Sequence, residues 1–378
     1  MFSLNSEHIA IRDMAKTFAD ERMAPNALEW DETEHFPVDV LREAAALGMA
    51  AIYVREENGG SGMTRLDAAL IFEALATGCP CIAAFLSIHN MVAWVLDRFG
   101  SPELKARYLP RLTSMDLISS YCLTEPGAGS DAAALTTRAR RDGGDYVLDG
   151  VKQFISGAGA SDVYLVMART GDGGSGGVSA FMVEKGSPGL SFGATEKKMG
   201  WRAQPTRQVI MEGARTPAAN LVGREGEGFK IAMAGLDGGR LNIGACSIGG
   251  GQAALDKALA YMRERKAFGR RIADYQALQF RVADIATSLE TARSILWRAA
   301  SALDETSPEA TRLCGMAKRV ATDAGFEAAN DALQLFGGYG YLADYGVEKL
   351  VRDLRVHQIL EGTNEIMRVI VARALIEN

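Results

Sequence analysis

The stretch Tyr121-Cys122-Leu123-Thr124-Glu125-Pro126-Gly127-Ala128-Gly129-Ser130-Asp131 marks the point at which the periodicity of the chain changes. After it, short apolar runs such as residues 163–167 and 179–183 are separated by Gly, Asp and Ser turns, a pattern typical of strands. The run Asp142-Gly143-Gly144-Asp145 is typical of a hairpin connection. We therefore expect a middle β-sandwich or β-barrel domain over residues 119–225.

The segments on either side of this region have helical spacing. In residues 226–378 apolar positions step by three and four, and Ser307-Pro308 predicts the start of another helix. These positions include Leu278, Val282, Ile285, Leu289, Ala292 and Leu296. Residues 1–118 also have a helical pattern. The expected fold class is therefore α+β multidomain, with an N-terminal helical domain, the middle β domain and a C-terminal four-helix bundle.

Composition excludes several classes of function. The chain has 378 residues, 48% of them hydrophobic, and its formal net charge of −6 is unlike that of a nucleic-acid-binding surface. No uninterrupted apolar run reaches the ~20 residues of a membrane span. Five cysteines without a C-x-x-C pair and four scattered histidines indicate neither disulfides nor a metal site. The first residues show no targeting segment, so we expect a cytoplasmic protein, or a mitochondrial matrix protein if a transit peptide has been removed.

A glycine-rich run at residues 171–176 satisfies G-x-G-x-x-G, the pattern of a dinucleotide-binding turn. Such a turn must open a helix, whereas another strand-like run follows here. We therefore interpret this run as a hairpin loop.

A second informative stretch is Gln358-Ile359-Leu360-Glu361-Gly362-Thr363-Asn364-Glu365-Ile366-Met367-Arg368. Glu361 precedes an apolar helical run, Gly362 frees the backbone beside it, and Thr363 or Asn364 is suited to cap the helix. Apolar neighbours would raise the pKa of this carboxyl and suit it to general-base chemistry. Alternatively, Glu361 only complements the helix dipole. Residues 124–131 likewise fit either a cofactor-contacting loop or a simple turn.

The two stretches together resemble the flavin loop and the catalytic-base loop of the acyl-CoA dehydrogenase family. Further similar strings lie between them, in the family's order and over essentially the whole chain. They are Phe154-Ile155-Ser156-Gly157, Arg265-Lys266-Ala267-Phe268-Gly269 and Gln334-Leu335-Phe336-Gly337-Gly338-Tyr339-Gly340. Residues 71–79, 87–91 and 351–362 resemble most closely the members that act on branched-chain substrates.

The resemblance implies that Glu361 is the catalytic base and that FAD is the cofactor. The residues implied to bind FAD are Tyr121, Leu123, Thr124, Gly129, Ser130, Phe154, Ile155, Ser156, Arg265, Phe268, Gln276, Gln334, Gly337, Gly338, Thr363 and Glu365. In the family, the segment equivalent to residues 334–338 comes from a neighbouring subunit. The residues implied to bind the acyl-CoA substrate are Ser130, Asp237, Arg240, Leu360 and Gly362. Many relatives carry Trp and Thr where this chain has Phe154 and Ser156.

The activity implied is α,β-dehydrogenation of a short branched acyl-CoA, with isobutyryl-CoA of valine breakdown as the expected substrate. Electron-transfer flavoprotein would accept the electrons, and the expected assembly is a homotetramer. Alternatives within the family are 2-methylbutyryl-CoA or a short straight-chain acyl-CoA as substrate. An acyl-CoA oxidase of the same fold, or a scaffold without catalytic activity, also stays open; oxygen reactivity and bound flavin distinguish these.

Overall fold

The computed structural model of the chain describes residues 4–377; residues 1–3 and 378, at the ends of the two predicted helical segments, lie outside the described residues. The N-terminal part is helical, as expected. Asn5 and Thr64 form capping boxes at the starts of the first and fourth helices, and Ser101 caps the sixth. The helices are α1 (Ser6–Phe18), α2 (Ala27–Thr33), α3 (Val38–Ala46), α4 (Arg65–Gly78), α5 (Pro80–Phe99) and α6 (Pro102–Thr113).

By length and composition alone, helix α5 could cross a membrane. The search of the sequence for uninterrupted apolar runs did not find this helix. In the structure, 89% of its most apolar window is buried inside the protein. It also carries the buried polar residues His89, Asn90 and Asp97. Asn90 binds the backbone of Met49 and Ile52, at 2.8 Å in each case, so α5 is packed as a core helix.

The middle region is a single mixed sheet of eight strands rather than two separate sheets. Its strands are β1 (Ser119–Cys122), β2 (Arg138–Asp142), β3 (Asp145–Ser156), β4 (Val163–Arg169), β5 (Val178–Glu184), β6 (Leu190–Phe192), β7 (Thr206–Pro217) and β8 (Leu221–Val222). They lie in the order β6-β7-β3-β2-β4-β5-β8, and β1 adds to β4 in parallel. As predicted, residues 142–145 close the β2–β3 hairpin and the glycine-rich run at 171–176 connects antiparallel β4 and β5.

The C-terminal part is a bundle of long helices, as expected. Its elements are α7 (Gly228–Glu264), the hairpin strands β9 (Lys266–Ala267) and β10 (Arg270–Arg271), and then α8 (Gln276–Asp304), α9 (Ala310–Phe336), α10 (Val347–Arg355) and α11 (Asn364–Ile376). The predicted helix start at Ser307-Pro308 is wrong by two residues. Ser307 instead forms a turn before α9, because its carbonyl accepts from Ala310 N at 3.0 Å.

Three apolar cores hold these parts together. One fills the helical regions, and another lies on the face of the sheet away from them. A third joins α5 and α6 to β4, β5 and the beginning of α7. Since this third core includes Leu123 and Ala128, it fixes the stretch 121–131 against the middle of the molecule. The helical, β and helical arrangement confirms the predicted fold class.

Candidate active site

Glu361 lies in a tight turn between a 3-10 segment, Val356–Gln358, and the start of α11. Its φ is 57° and that of Gly362 is 87°, so two consecutive residues adopt left-handed backbone conformations. The Thr363 hydroxyl accepts from Ile366 N at 3.3 Å and caps α11, as the sequence predicted. A left-handed conformation strains the backbone of a non-glycine residue, and strain of this kind is often found at functional sites. The turn thus places Glu361 directly before the capped start of α11.

The Glu361 carboxyl group packs against the backbone of α7. Its Oε2 atom is buried and has no hydrogen-bond partner among the described residues 4–377. A Cβ atom on Gly239 would lie 2.9 Å from Glu361 Cδ and closer still to Oε2, so only glycine leaves room for the carboxyl here. Burial raises the pKa of Glu361 to about 7. A carboxyl group with one buried, unpartnered oxygen and a pKa near neutrality is suited to taking up a proton.

Two cations face this carboxyl and oppose the effect of burial on its pKa, Arg240 more strongly than Lys318. Arg240 is 5% exposed and donates from Nε to the Glu361 carbonyl at 3.4 Å. Its Nη1 binds Asp237 Oδ1 at 2.6 Å, and Asp237 also accepts from Thr311 at 2.7 Å. The predicted substrate-binding residues Asp237, Arg240, Leu360 and Gly362 therefore surround the predicted base.

Aromatic residues complete the surroundings of Glu361. The phenols of Tyr53 and Tyr121 have raised pKa values, first because they are buried and also because the Glu361 charge lies nearby. Tyr121 donates to Ala232 O on α7 at 3.2 Å. The guanidinium carbon of Arg65 lies 3.7 Å from the ring centre of Tyr53 and 4.8 Å from that of Trp94. Arg65 adjoins α7 at Gly238 and Tyr53 accepts from Asn242 at 3.0 Å, so these bulky groups lie along the stretch of α7 that faces the carboxyl.

A buried ion pair anchors the stretch 121–131. Lys152 Nζ lies 2.8 Å from Glu125 Oε1 and 3.1 Å from Leu123 O. Glu125 also accepts from the backbone N–H groups of Thr136 and Thr137 and from the Thr136 hydroxyl. Although burial acts to raise the pKa of Glu125, Lys152 and these hydrogen bonds lower it to about 2. The carboxylate stays charged and fixes the loop, while Gly129 and Ser130 remain exposed beyond it.

Phe154 is displayed by an irregularity in strand β3. The register between β3 and β7 shifts between Lys152 and Ile155, and Phe154 there has a φ of 58°. Such bulges redirect a side chain away from its normal face. The Phe154 ring is 65% exposed, whereas Ile155 is 3% exposed. Gln153 N donates to Thr124 O at 2.8 Å, so the bulge adjoins the loop 121–131, and Ser156 ends the strand beside it.

Apart from Thr363 and Glu365, which follow Glu361 at the start of α11, the remaining predicted cofactor residues form a second group on the surface. Arg265, Phe268 and Gln276 lie around the β9–β10 hairpin and the start of α8, and Phe268 is 97% exposed with a φ of 49°. The Arg265 guanidinium carbon lies 5.3 Å from the ring centre of Tyr339, just after Gly337 and Gly338. Gln334 is exposed at the end of α9, and Glu365 is exposed in the first turn of α11.

The structure thus brings the predicted residues together as two groups. One combines Glu361 with its substrate-binding neighbours, Tyr121 and the loop beside Phe154. The other combines the hairpin at 265–276 with residues 334–338. Within the described part of the chain, no hydrogen bond or ion pair joins residues 121–130 or 154–156 to the second group.

Sequence reasoning missed several residues of this site: Gly239, Lys318, Lys152 and Arg65. Lys318 and Lys152 are both fully buried. A charged residue inside a predicted apolar stripe or strand is a signal that could have found both, because unpaired lysines are rarely buried. Gly239, in contrast, owes its importance to a residue distant in the sequence, and no local pattern marks it.

Three family models together match nearly all of the chain. They describe the N-terminal domain of acyl-CoA dehydrogenases at residues 5–116, the middle domain at 120–214 and the C-terminal domain at 226–376. The chain belongs to the acyl-CoA dehydrogenase family. This confirms the resemblance drawn from the sequence and makes the protein an enzyme of that family.

Individual relatives agree with this family assignment. Mitochondrial isobutyryl-CoA dehydrogenase of Bos taurus is 52% identical over 374 residues, which is 99% of this chain and 90% of the relative. Butyryl-CoA dehydrogenase of Megasphaera elsdenii has a solved structure with a TM-score of 0.96 and 35% identity, covering 99% of both chains. A solved chain from work on the electron transferring flavoprotein of Acidaminococcus fermentans matches with a TM-score of 0.97 and 39% identity, covering 100% of both.

FAD is the cofactor of this acyl-CoA dehydrogenase, and the described surface fits it. Phe154 offers an exposed aromatic ring on a rigid left-handed backbone, next to a loop held by a buried ion pair. A Cβ atom at Gly127 or Gly129 would meet nothing within 4 Å, so open space lies in front of that loop. Flat aromatic groups and exposed backbone are what a large planar, partly anionic cofactor requires.

Proposed function

We propose that this enzyme removes two hydrogens from the α and β carbons of a short branched-chain acyl-CoA, with isobutyryl-CoA as its principal substrate and methacrylyl-CoA as the product. The observation that carries the proposal is the buried, unpartnered Glu361 oxygen in a left-handed turn against α7. The name of the Bos taurus relative, isobutyryl-CoA dehydrogenase, supports the choice of acyl group. The proposed reaction is a step of valine breakdown.

Glu361 acts as the base that takes the α proton. The thioester makes the α C–H bond acidic, and the electron pair of that bond becomes the new double bond. As this happens, negative charge moves toward the thioester oxygen, which needs a hydrogen-bond donor. The Glu361 N–H donates to none of the described residues 4–377 and is therefore available for that oxygen. One donor of this kind typically contributes about 3 kcal/mol to the transition state.

FAD, when bound, supplies the acceptor for the hydride that leaves the β carbon. The residues that we propose to hold it are those predicted from the sequence, from Tyr121 to Ser130, Phe154 to Ser156, and the surface group around Arg265. The guanidinium of Arg265 is suited to phosphate groups. Thr363 and Glu365 begin α11 directly after the base, so cofactor and base would share one turn.

We propose that the acyl group lies beside Leu360 and the aromatic residues near Glu361. Leu360 is half-buried and packs on the helical core. A leucine leaves more width than a tyrosine would, and this favours a methyl branch at the α carbon. Arg65 stacks on Tyr53 and Trp94 near Glu361, and we propose that this cluster limits the depth of the acyl pocket and so favours short acyl groups. Because one methyl group is worth about 1–3 kcal/mol in such a pocket, the preference should be graded.

We further propose that electron-transfer flavoprotein reoxidises the cofactor and that the enzyme is a homotetramer. The likeness to the chain studied with the Acidaminococcus flavoprotein supports the first point. The second is supported by the separation of the two groups of cofactor residues within one chain. Residues 334–338 would then complete the cofactor site of a neighbouring copy. Light scattering that finds a flavin-loaded monomer would contradict the tetramer.

A panel of thioesters tests this function. The FAD-loaded enzyme is mixed without oxygen with isobutyryl-, 2-methylbutyryl-, butyryl-, isovaleryl- and octanoyl-CoA, and the bleaching of the flavin absorbance is followed. We expect isobutyryl-CoA and 2-methylbutyryl-CoA to reduce the flavin fastest and octanoyl-CoA to be poor. Fastest reduction by octanoyl-CoA, or by isovaleryl-CoA with isobutyryl-CoA inert, would overturn the proposed acyl group.

A further inference from the structure

Lys318 is a fully buried lysine on the face of α9 that packs on the active-site turn. Its Nζ donates to the Gly362 carbonyl at 2.8 Å and to Asn364 Oδ1 at 2.9 Å. Both acceptors belong to the turn that carries Glu361, although they lie 44 and 46 residues away in the sequence. Burial of a lysine is unfavourable unless its charge is compensated, so this contact calls for an explanation beyond packing.

The two oxygens that Lys318 binds directly are neutral, a carbonyl and an amide. Asn364 is itself held by Thr322 at 3.0 Å and by Asp323 Oδ1 at 2.7 Å. Glu361 is the acid whose charge acts most strongly on Lys318, more than Asp323 or Glu365. The charge of Lys318 is therefore directed toward the proposed base, while its hydrogen bonds hold the backbone on which that base stands.

We propose that Lys318 is a positioning residue for Glu361: it fixes the left-handed turn through Gly362 and Asn364, and its charge favours the ionised carboxylate. The inference rests on the proposed function of Glu361 as the base. Gly362 with a φ of 87° can adopt several other conformations when unbound, so the bond to its carbonyl selects one. The second bond fixes Asn364, the first residue of α11.

The sign of the electrostatic effect follows from the groups that face this centre. They are Arg240 and Asp237 on α7, Asp323 on α9, Glu365 on α11, His357 before the turn, and the phenols Tyr53 and Tyr121. Burial lowers the pKa of Lys318 to about 8, so the residue is a cation below that pH. Burial raises the pKa of Glu361 to about 7, against Arg240 and then Lys318. Removing the Lys318 charge must therefore raise the pKa of Glu361 further.

The test compares Lys318→Met with the wild type and with a matched control, Lys198→Met. Lys198 is also a lysine that donates to neutral oxygens, those of Gln204 and Thr206. It is not among the charges that act on the pKa of Glu361, which are those of Arg240 and Lys318. Flavin reduction by isobutyryl-CoA is measured across pH without oxygen. The carboxyl of Glu361 is titrated independently by infrared difference against Glu361→Gln, which needs no turnover.

In Lys318→Met we expect the pH at which the reduction rate rises (the rising limb of the pH profile), and the midpoint of the infrared titration of Glu361, to increase by about one unit. This is the lower end of the pKa change expected when a nearby opposite charge is lost. Well below the limb this makes reduction about tenfold slower. Lys198→Met should keep the wild-type limb, and Lys318→Arg, which retains the charge, should lie nearer to the wild type than Lys318→Met.

An unchanged limb in folded Lys318→Met, with lowered thermal stability only, would overturn the inference and leave Glu361 as the base. If that variant does not fold, Lys318→Gln takes its place, since it keeps one donor for Gly362 and removes the charge; the same two outcomes decide. A wild type that no acyl-CoA reduces would instead refute the proposed function itself, so the two failures are distinct.

Discussion

The substitution Gly239→Ala tests the placement of the base without changing any titratable group. The added Cβ atom would lie 2.9 Å from Glu361 Cδ, whereas ordinary contacts begin at 3.4 Å. The carboxyl must therefore move by at least 3.4 − 2.9 = 0.5 Å at Cδ, and by more at Oε2. A misplacement of about 1 Å can cost on the order of a hundredfold in rate. We expect flavin reduction to fall between about tenfold and a hundredfold.

The stability of Gly239→Ala should move in a different direction from its activity. Alanine is favoured over glycine in a helix interior by about 1 kcal/mol, which offsets part of the strain at Glu361. Thermal unfolding should therefore change little while stopped-flow reduction slows.

The matched control is Gly235→Ala, one turn earlier on α7. Its Cβ atom would lie 3.3 Å from Val95 and 3.4 Å from Met91, and it would not reach Glu361. The control should reduce flavin within roughly twofold of the wild type, since its added Cβ atom does not approach the Glu361 carboxyl. If Gly239→Ala reacts as fast as Gly235→Ala, the Glu361 carboxyl does not react from its position against α7, and the account of the base is wrong.

Three further predictions concern the pocket, the loop and pH. Leu360→Tyr should lower the ratio of the isobutyryl-CoA to the butyryl-CoA reduction rate by roughly tenfold, which is within the range expected for one methyl group. An unchanged ratio in the thioester panel would show that Leu360 does not line the acyl pocket. Lys152→Met leaves the buried Glu125 carboxylate without its partner and should lower the free energy of unfolding, measured by urea titration, by about 3–5 kcal/mol. The Lys152→Met, Glu125→Gln double variant should recover part of this loss. Equal stability of the wild type, the single variant and the double variant would contradict the ion pair. In the wild type, flavin reduction should rise as pH passes about 7, because Glu361 must lose its proton to act; a rate that falls through that range would contradict its role.

The order of helical and β regions could be predicted because each depends on local periodicity. The hairpin at residues 142–145, the connection at 171–176 and the Thr363 cap all follow from the residues that form them. The start of α9 was misplaced because Ser307 and Pro308 fit a helix start equally well, and the structure uses them for the preceding turn. Residues that determine a turn and those that begin a helix are chemically alike, so the sequence alone left two residues of error.

The geometry around Glu361 could be predicted only in part. The turn and its cap are local, but Gly239, which leaves space for the carboxyl, lies 122 residues before the base in the sequence (361 − 239 = 122). Lys318 lies in a helical stripe of apolar residues, and its partners become known only when α9 packs against the start of α11. The bulge at Phe154 likewise depends on the register between β3 and β7. Long-range packing, rather than local propensity, sets each of these features.

The central claim is that Glu361 takes the α proton of a short branched acyl-CoA. The most direct measurement mixes isobutyryl-CoA with FAD-loaded wild type and Glu361→Gln without oxygen and compares the bleaching of the flavin bands, after equilibrium binding has shown that both retain the thioester. The amide keeps the shape of the side chain but does not accept the proton, so reduction should be slower by about a hundredfold or more in the variant. Bleaching of Glu361→Gln at the wild-type rate would contradict the claim.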